Sequence, residues 1–210
     1  NTHLHLLEAF SSLMRVWPAP KVAERLQELL FLIREKLIIA PGTLPTFFDP
    51  DWQNATGLHS FGHDIEAAFL LLDAAAALGE NHDDATSKIA HLLTNQILDF
   101  GWDARYGGVF DSGGANGKVR SDRKIWWVQA EACHTFLLMH EKFGEQTLRY
   151  WNAFLNQWIF IDAHQIDHLN GGWYREVSRR GKAPRGQLKS DRWTDGYHQG
   201  RALMNMARSL

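Results

Sequence analysis

An internal repeat constrains this chain more than any other feature. Asp103-Ala104-Arg105-Tyr106-Gly107-Gly108-Val109-Phe110-Asp111 is echoed 64 positions later by Asp167-His168-Leu169-Asn170-Gly171-Gly172-Trp173-Tyr174-Arg175. A fainter copy, Thr46-Phe47-Phe48-Asp49, lies about 62 positions before Val109-Phe110-Asp111. Each Gly-Gly followed by β-branched or aromatic residues reads as a short β-hairpin. Between the copies, apolar residues recur at helical spacing, as in Leu4, Leu6, Leu7, Phe10, Leu13 and Met14. The pattern predicts seven helices: 4–15, 20–36, 61–78, 84–99, 122–142, 145–159, and 196 to the last residue. Pro20 suits a first helical position, Asn81-His82-Asp83-Asp84 reads as a cap, and Gly79 and Gly144 suit helix ends. Helices one and two are joined tightly, as are three and four, and five and six; the other connections are long. The repeating unit is therefore a helix pair with a decorated loop. Repeated antiparallel helix pairs build an open solenoid or a closed α/α toroid, and long aromatic loops on one rim favour the toroid, where they roof a central pocket.

Composition narrows the function. A net charge of −2 gives no electrostatic footprint for nucleic acid or anionic lipid. Mean hydropathy is −0.32 and no apolar run reaches the ~18–20 residues of a membrane span, so no membrane role is expected. The single cysteine, Cys133, excludes an internal disulfide framework and suits a reducing, cytoplasmic setting. The nine tryptophans and eleven histidines suit a small polar ligand with apolar faces, which describes a sugar. The opening Asn1-Thr2-His3, without methionine, suggests an incomplete or processed chain. No phosphate loop or dinucleotide fingerprint is present, so no cofactor is expected.

Three helix starts carry a histidine with a charged residue one turn later. His63 and Glu66 follow a Ser60 cap, His198 and Arg201 open the last helix, and His5 and Glu8 share a polar face with Asn1. Singly, each reads as a capping or surface histidine. On alternate helices of a toroid, which form its inner ring, they converge on one centre. Trp126 and Trp127 point about 100° apart on a helix, so one belongs to the core while the other, with Gln129 or Glu131, can line a cavity. His59/His63 and His164/His168 have the i, i+4 spacing of metal pairs, but a helix start or a loop intervenes and no metal is assigned.

N-T-H-L-H-L-L-E-A at 1–9, S-F-G-H-D-I-E-A at 60–67, W-W-V-Q-A-E at 126–131 and G-Y-H-Q-G-R-A at 196–202 resemble the successive motifs of the cellobiose 2-epimerases, within the N-acylglucosamine 2-epimerase superfamily. The resemblance implies an all-α fold, part of an (α/α)6 barrel. It makes His63 and His198 the general acid/base pair, with Glu66 beside His63 to orient it, and gives His5 a part in ring opening. Asn1, Trp126, Trp127, Glu131, Trp193 and Arg201 match positions lining the sugar site. Gly196 and Gln199 depart from the family's P-Y-H-N-G-R, and the loop before Trp193 is basic (Arg179, Arg180, Lys182, Arg185, Lys189), which bears on substrate preference more than on reaction type. Family members are about twice as long, so residues 1–210 are expected to be the C-terminal portion of one catalytic domain, with little activity alone.

The implied reaction inverts C2 of the reducing-end glucose in a β-1,4-linked disaccharide, through ring opening and a cis-enediolate. Histidines suit it because imidazole exchanges protons near neutral pH. The implied partner is the disaccharide alone, on a monomer, with neither metal nor cofactor. Three alternatives stay open: an aldose–ketose isomerase acting on mannose-type sugars, a glycoside hydrolase using Asp64 or Glu66 with Glu131, and a carbohydrate-binding remnant.

Overall fold

The structure, a computed structural model, describes residues 1–80, 83–114, 117–144 and 148–210. Among these, seven α-helices follow the expected order: α1 (Thr2–Val16), α2 (Pro20–Leu32), α3 (Phe61–Ala77), α4 (Asp84–Gln96), α5 (Trp126–Phe143), α6 (Arg149–Phe160) and α7 (Tyr197–Ser209). The cap residues Asn81 and His82 and the helix start at Glu145 lie outside the described residues. Asp83 caps α4 through its carboxylate, which accepts from the Ala85 amide at 3.0 Å.

Helices α1, α3, α5 and α7 pack side by side as an inner arc, and α2, α4 and α6 each back the inner helix that precedes them. Burial follows from this layering. The middle inner helices α3 and α5 are covered on nearly every side, whereas the outer helices bury one stripe. Two apolar clusters form the core. One joins Leu4, Leu7, Leu26, Ile33, Leu70 and Leu93, and the other joins Phe61, Ile97, Val128, Phe136, Phe154 and Ile161.

Periodicity alone did not reveal how the outer helices end. Each closes in a five-residue π turn, at Ile33–Leu37, Ile97–Gly101 and Ile161–Gln165, the second and third each 64 positions after the last. Each turn opens on an isoleucine that is fully buried. The widened turn lets the chain leave as extended backbone, which closes the loops with single bridges at Ile39–Thr43, Trp102–Val109 and Ile166–Trp173. The two Gly-Gly hairpins are therefore real but only one bridge deep.

The loops carry five short strands: β1 (Leu58–Ser60), β2 (Ser112–Gly114), β3 (Val119–Ser121), β4 (Lys124–Ile125) and β5 (Glu176–Val177). β1-β2-β3 and β4-β5 form two small antiparallel sheets. Helix α5 consequently starts at Trp126, four residues later than expected, because Lys124 and Ile125 pair with Val177 and Glu176. The repeated loops are held alike. Oδ1 of Asp103 accepts from the Arg105 and Tyr106 amides, and Oδ1 of Asp167 accepts from those of Leu169 and Asn170. Gly107, Gly108, Gly171 and Gly172 all have φ between 73° and 77°, which a side chain would resist. A lysine clamps each turn. Lys124 Nζ, fully buried, donates to the Gly108 carbonyl at 2.8 Å and lies 3.4 Å from Asp103, while Lys189 bonds Asp167 and the Gly171 carbonyl. Arg179 of the basic loop also bonds Asp103, at 2.8 Å.

Candidate active site

The inner helices present polar side chains from their first two turns, and these meet. His5 and Glu8 come from α1, His63 and Glu66 from α3, Trp127 and Glu131 from α5, and Tyr197, His198 and Arg201 from α7. Ser60 starts α3 by accepting from the His63 amide at 3.4 Å, which fixes His63 in the first turn. Gly62 lets α5 approach, since a Cβ there would lie 2.4 Å from Cη2 of Trp127.

Arg201 is the hub. Its Nη2 donates to Oε1 of Glu131 at 2.7 Å and to Oε1 of Glu66 at 2.9 Å, and its Nη1 bonds Oε1 of Glu8. His198 Nδ1 lies 2.8 Å from the same Glu131 oxygen. A carboxylate only accepts, so Nδ1 carries the proton in the neutral ring and Nε2 is left as the basic atom. Trp127 touches both histidines, with ring centroids 5.1 Å from His63 and 5.3 Å from His198. Glu66 and Glu131 are fully buried, and Oε2 of each has no hydrogen-bond partner.

The electrostatics separate the histidines. Burial, helped by the positive amine of Asn1 and then by His5 and His198, holds His63 at a pKa of about 4, so it is neutral at neutral pH. His5 is pushed the other way: its hydrogen bond with Glu8, at 3.3 Å, outweighs partial burial and raises it. Burial would raise Glu8, but bonds from His5 and Tyr197 and the charge of Arg201 hold it at about 2. Glu66 is raised by burial and by Glu131. Burial would lower Arg201, and the three carboxylates outweigh it and push it up.

The structure thus gathers His5, His63, Glu66, Trp127, Glu131, His198 and Arg201. It does not give Glu66 to His63, because the guanidinium of Arg201 claims that carboxylate. Trp126 is buried with its indole N–H unpartnered, and Trp127, half-buried, is the member of the pair that meets His63 and His198. Asn1 is exposed and its carbonyl accepts from the His5 amide at 3.2 Å. Trp193 stands apart, 74% exposed on the Asp191–Thr194 turn with Arg192 over its ring. Glu8 and Tyr197 belong to the cluster, although the sequence reading gave Glu8 only a place on a polar face. The signal was available, since Glu8 follows His5 by the interval that separates Glu66 from His63.

One histidine of each i, i+4 pair has a protein partner. His59 is buried against Asp64, Nδ1 to Oδ2 at 2.5 Å, and Asp64 also accepts from the Leu44 amide at 2.7 Å. His168 bonds the Asp162 carbonyl at 2.8 Å. Among the described residues, Glu66, Glu131 and His198 bring ligand-type atoms within 4.8 Å of one another, but Arg201 already supplies the cation there.

The family model for N-acylglucosamine 2-epimerase (GlcNAc 2-epimerase) matches residues 1–202. The chain belongs to the N-acylglucosamine 2-epimerase family. Within the family it is similar to the cellobiose 2-epimerase of Bacteroides fragilis, with 31% identity over 98% of this chain and 52% of that protein. It is also similar to the D-mannose isomerase of Marinomonas mediterranea, with 27% identity over the whole chain and 56% of the relative. The solved cellobiose 2-epimerase from Bacillus thermoamylovorans B4167 superposes with a TM-score of 0.90 at 30% identity, covering 100% of this chain and 53% of its own. The helices are therefore part of an (α/α)6 epimerase barrel, and the chain spans about half the length of the curated relatives it matches. No helix among the described residues is long and apolar enough to cross a membrane.

Proposed function

We propose that the protein is a carbohydrate 2-epimerase that converts the reducing-end glucose of cellobiose and similar β-1,4-linked disaccharides to mannose, with residues 1–210 as the C-terminal portion of one catalytic domain. The observation that carries this reading is the meeting of His63 and His198 against the one ring of Trp127, beside the Arg201 hub. Ring opening makes C2–H acidic, because the proton then stands α to the C1 aldehyde. One histidine takes that proton, and the electron pair spreads over C1, C2 and O1 as an enediolate. The other histidine returns a proton to the opposite face, and the roles exchange in the reverse direction. A positioned proton transfer of this kind contributes about 10²–10⁴-fold. Arg201 supplies positive charge for O1, and Trp127 supplies an apolar face for the sugar ring. His5, paired with Glu8, suits the ring-opening step. The chemistry proceeds on protein groups alone, in a monomer. The lone buried Cys133 supports a cytoplasmic setting.

The hydrolase alternative is poorly served. Glu66 and Glu131 are fully buried and each gives Oε1 to the one guanidinium of Arg201, and Asp64 is fully buried against His59, so none of the three carboxyls stands exposed toward a glycosidic oxygen. The isomerase alternative draws on the similarity to the D-mannose isomerase. It passes through the same enediolate and returns the proton to C1.

Incubating cellobiose with the full-length protein in D2O, with NMR of C2, tests the proposal. Deuterium at C2 with a mannose-type product is expected, and His198→Ala or His63→Ala should remove it. A ketose product would move the assignment to the isomerase, and absence of exchange with both cellobiose and mannose would overturn both.

A further inference from the structure

We propose that Glu8 is a positioning residue that fixes His5, Tyr197 and Arg201 in one geometry and thereby makes His5 the acid that opens the sugar ring. This rests on the epimerase reading above. The two oxygens of Glu8 divide the work. Oε2 faces His5 Nδ1 at 3.3 Å and accepts the Tyr197 hydroxyl, while Oε1 accepts from Arg201 Nη1. The Tyr197 hydroxyl accepts in turn from Arg201 Nη1 at 2.6 Å, so its own proton is committed to Glu8. One carboxylate therefore ties the first inner helix to the last across the site.

The consequence falls on His5. Because Glu8 can only accept, His5 Nδ1 must donate, and the second ring nitrogen, Nε2, is the atom left for a substrate. The groups around His5 are Glu8 on its own helix, Glu66 and His63 on α3, and Tyr197 and Arg201 on α7; Glu131 of α5 is drawn to Arg201. Of these, Glu8 bonds the imidazole directly and favours its charged form. His63 lacks such a partner and stands neutral. The two histidines are thereby prepared for different steps, His63 to take a proton and His5 to give one.

The step balances as follows. His5 Nε2–H passes its proton to the ring oxygen O5, and the C1–O5 bond breaks with its electron pair on O5. The O1–H proton passes to water, its electron pair becomes the second bond of C1=O1, and His5 is reprotonated from water. Glu8 touches none of the reacting atoms.

Glu8→Gln keeps an acceptor oxygen and removes the charge. In the full-length protein with cellobiose, NMR exchange between the two anomers reads ring opening directly. We expect Glu8→Gln to slow enzyme-catalysed anomer exchange about tenfold or more, to move the alkaline limb of the kcat profile to lower pH, and to change KM little. Glu8→Asp should restore part of the rate. Unchanged anomer exchange with an unmoved pH limb would overturn the proposal. A second measurement needs no turnover: NMR titration of the His5 imidazole should show a midpoint above that of ordinary histidine, lowered by Glu8→Gln. An unmoved midpoint overturns the role of Glu8 whether or not the protein turns over sugar. Absence of C2 exchange in the unaltered protein would instead overturn the epimerase reading, and the titration would still decide the His5–Glu8 pair.

Discussion

His134 shows how a single buried ring sets a pH response. Its Nδ1 has no partner, Phe69 stands edge-on at 4.5 Å, and burial holds its pKa at about 4. The folded value lies below that of the unfolded chain, so protons bind the unfolded state first as pH falls. Its stability contribution is complete above about pH 6.5 and is lost as pH falls toward 4. His63 has the same sign, and His5, whose pKa is raised, has the opposite one. His134→Leu is expected to remove about 2 kcal/mol of the stability lost between pH 7 and 5, measured by urea unfolding at the two pH values. An unchanged difference would show that the ring is solvated in solution. At this scale the sequence was legible wherever partners are close along the chain. Ser60 capping His63, the Asp103 and Asp167 turns, and the His5–Glu8 spacing all lie within one turn. Glu66 was misassigned to His63 because the sequence offers the neighbour one turn away, while its partner Arg201 lies 135 positions on.

The elements divide in the same way. Apolar periodicity located all seven helices because each buries a stripe or a whole surface, and burial enforces helical spacing in the sequence. It overran the start of α5, where strand pairing with residues 176–177 competes with the helix. The π turns were invisible to periodicity, yet Ile33, Ile97 and Ile161 mark them at one repeat position. The contact between α3 and α5 gives a prediction at this level. A Cβ on Gly62 would fall 2.4 Å from Trp127 Cη2 and 2.6 Å from Val128 Cγ2. Gly62→Ala should therefore cost about 1–3 kcal/mol by overpacking, seen as a lower urea midpoint. Displacing Trp127 from its place against both histidines should also lower C2 exchange about tenfold or more. Retention of both would mean that the helices separate freely at this contact.

For the whole molecule, the arc leaves the outer flanks of its end helices uncovered. Leu6 on α1 is 42% exposed, and Leu203 and Met204 on α7 are 36% and 59% exposed. The relatives are about twice as long, so the sugar site of an entire barrel would be walled by more inner helices than the four present here. The 210-residue chain by itself is expected to give C2 exchange at least about 10²-fold below that of the full-length protein, because imprecise placement of the sugar alone costs that much. Comparable rates from the two would show that four inner helices suffice. By itself the sequence determined the repeat, the helix pairs, the Gly-Gly turns and the histidines at inner-helix starts, since each is written in spacings of a few residues or in one period of 64. Only the tertiary structure decided which charges pair. Glu131 meets His198 across 67 positions and Glu8 meets Arg201 across 193, and no local spacing encodes a partner at that distance. Burial then turns those meetings into chemistry, because charges withdrawn from water must satisfy one another, and which group each carboxylate finds fixes which histidine holds a proton.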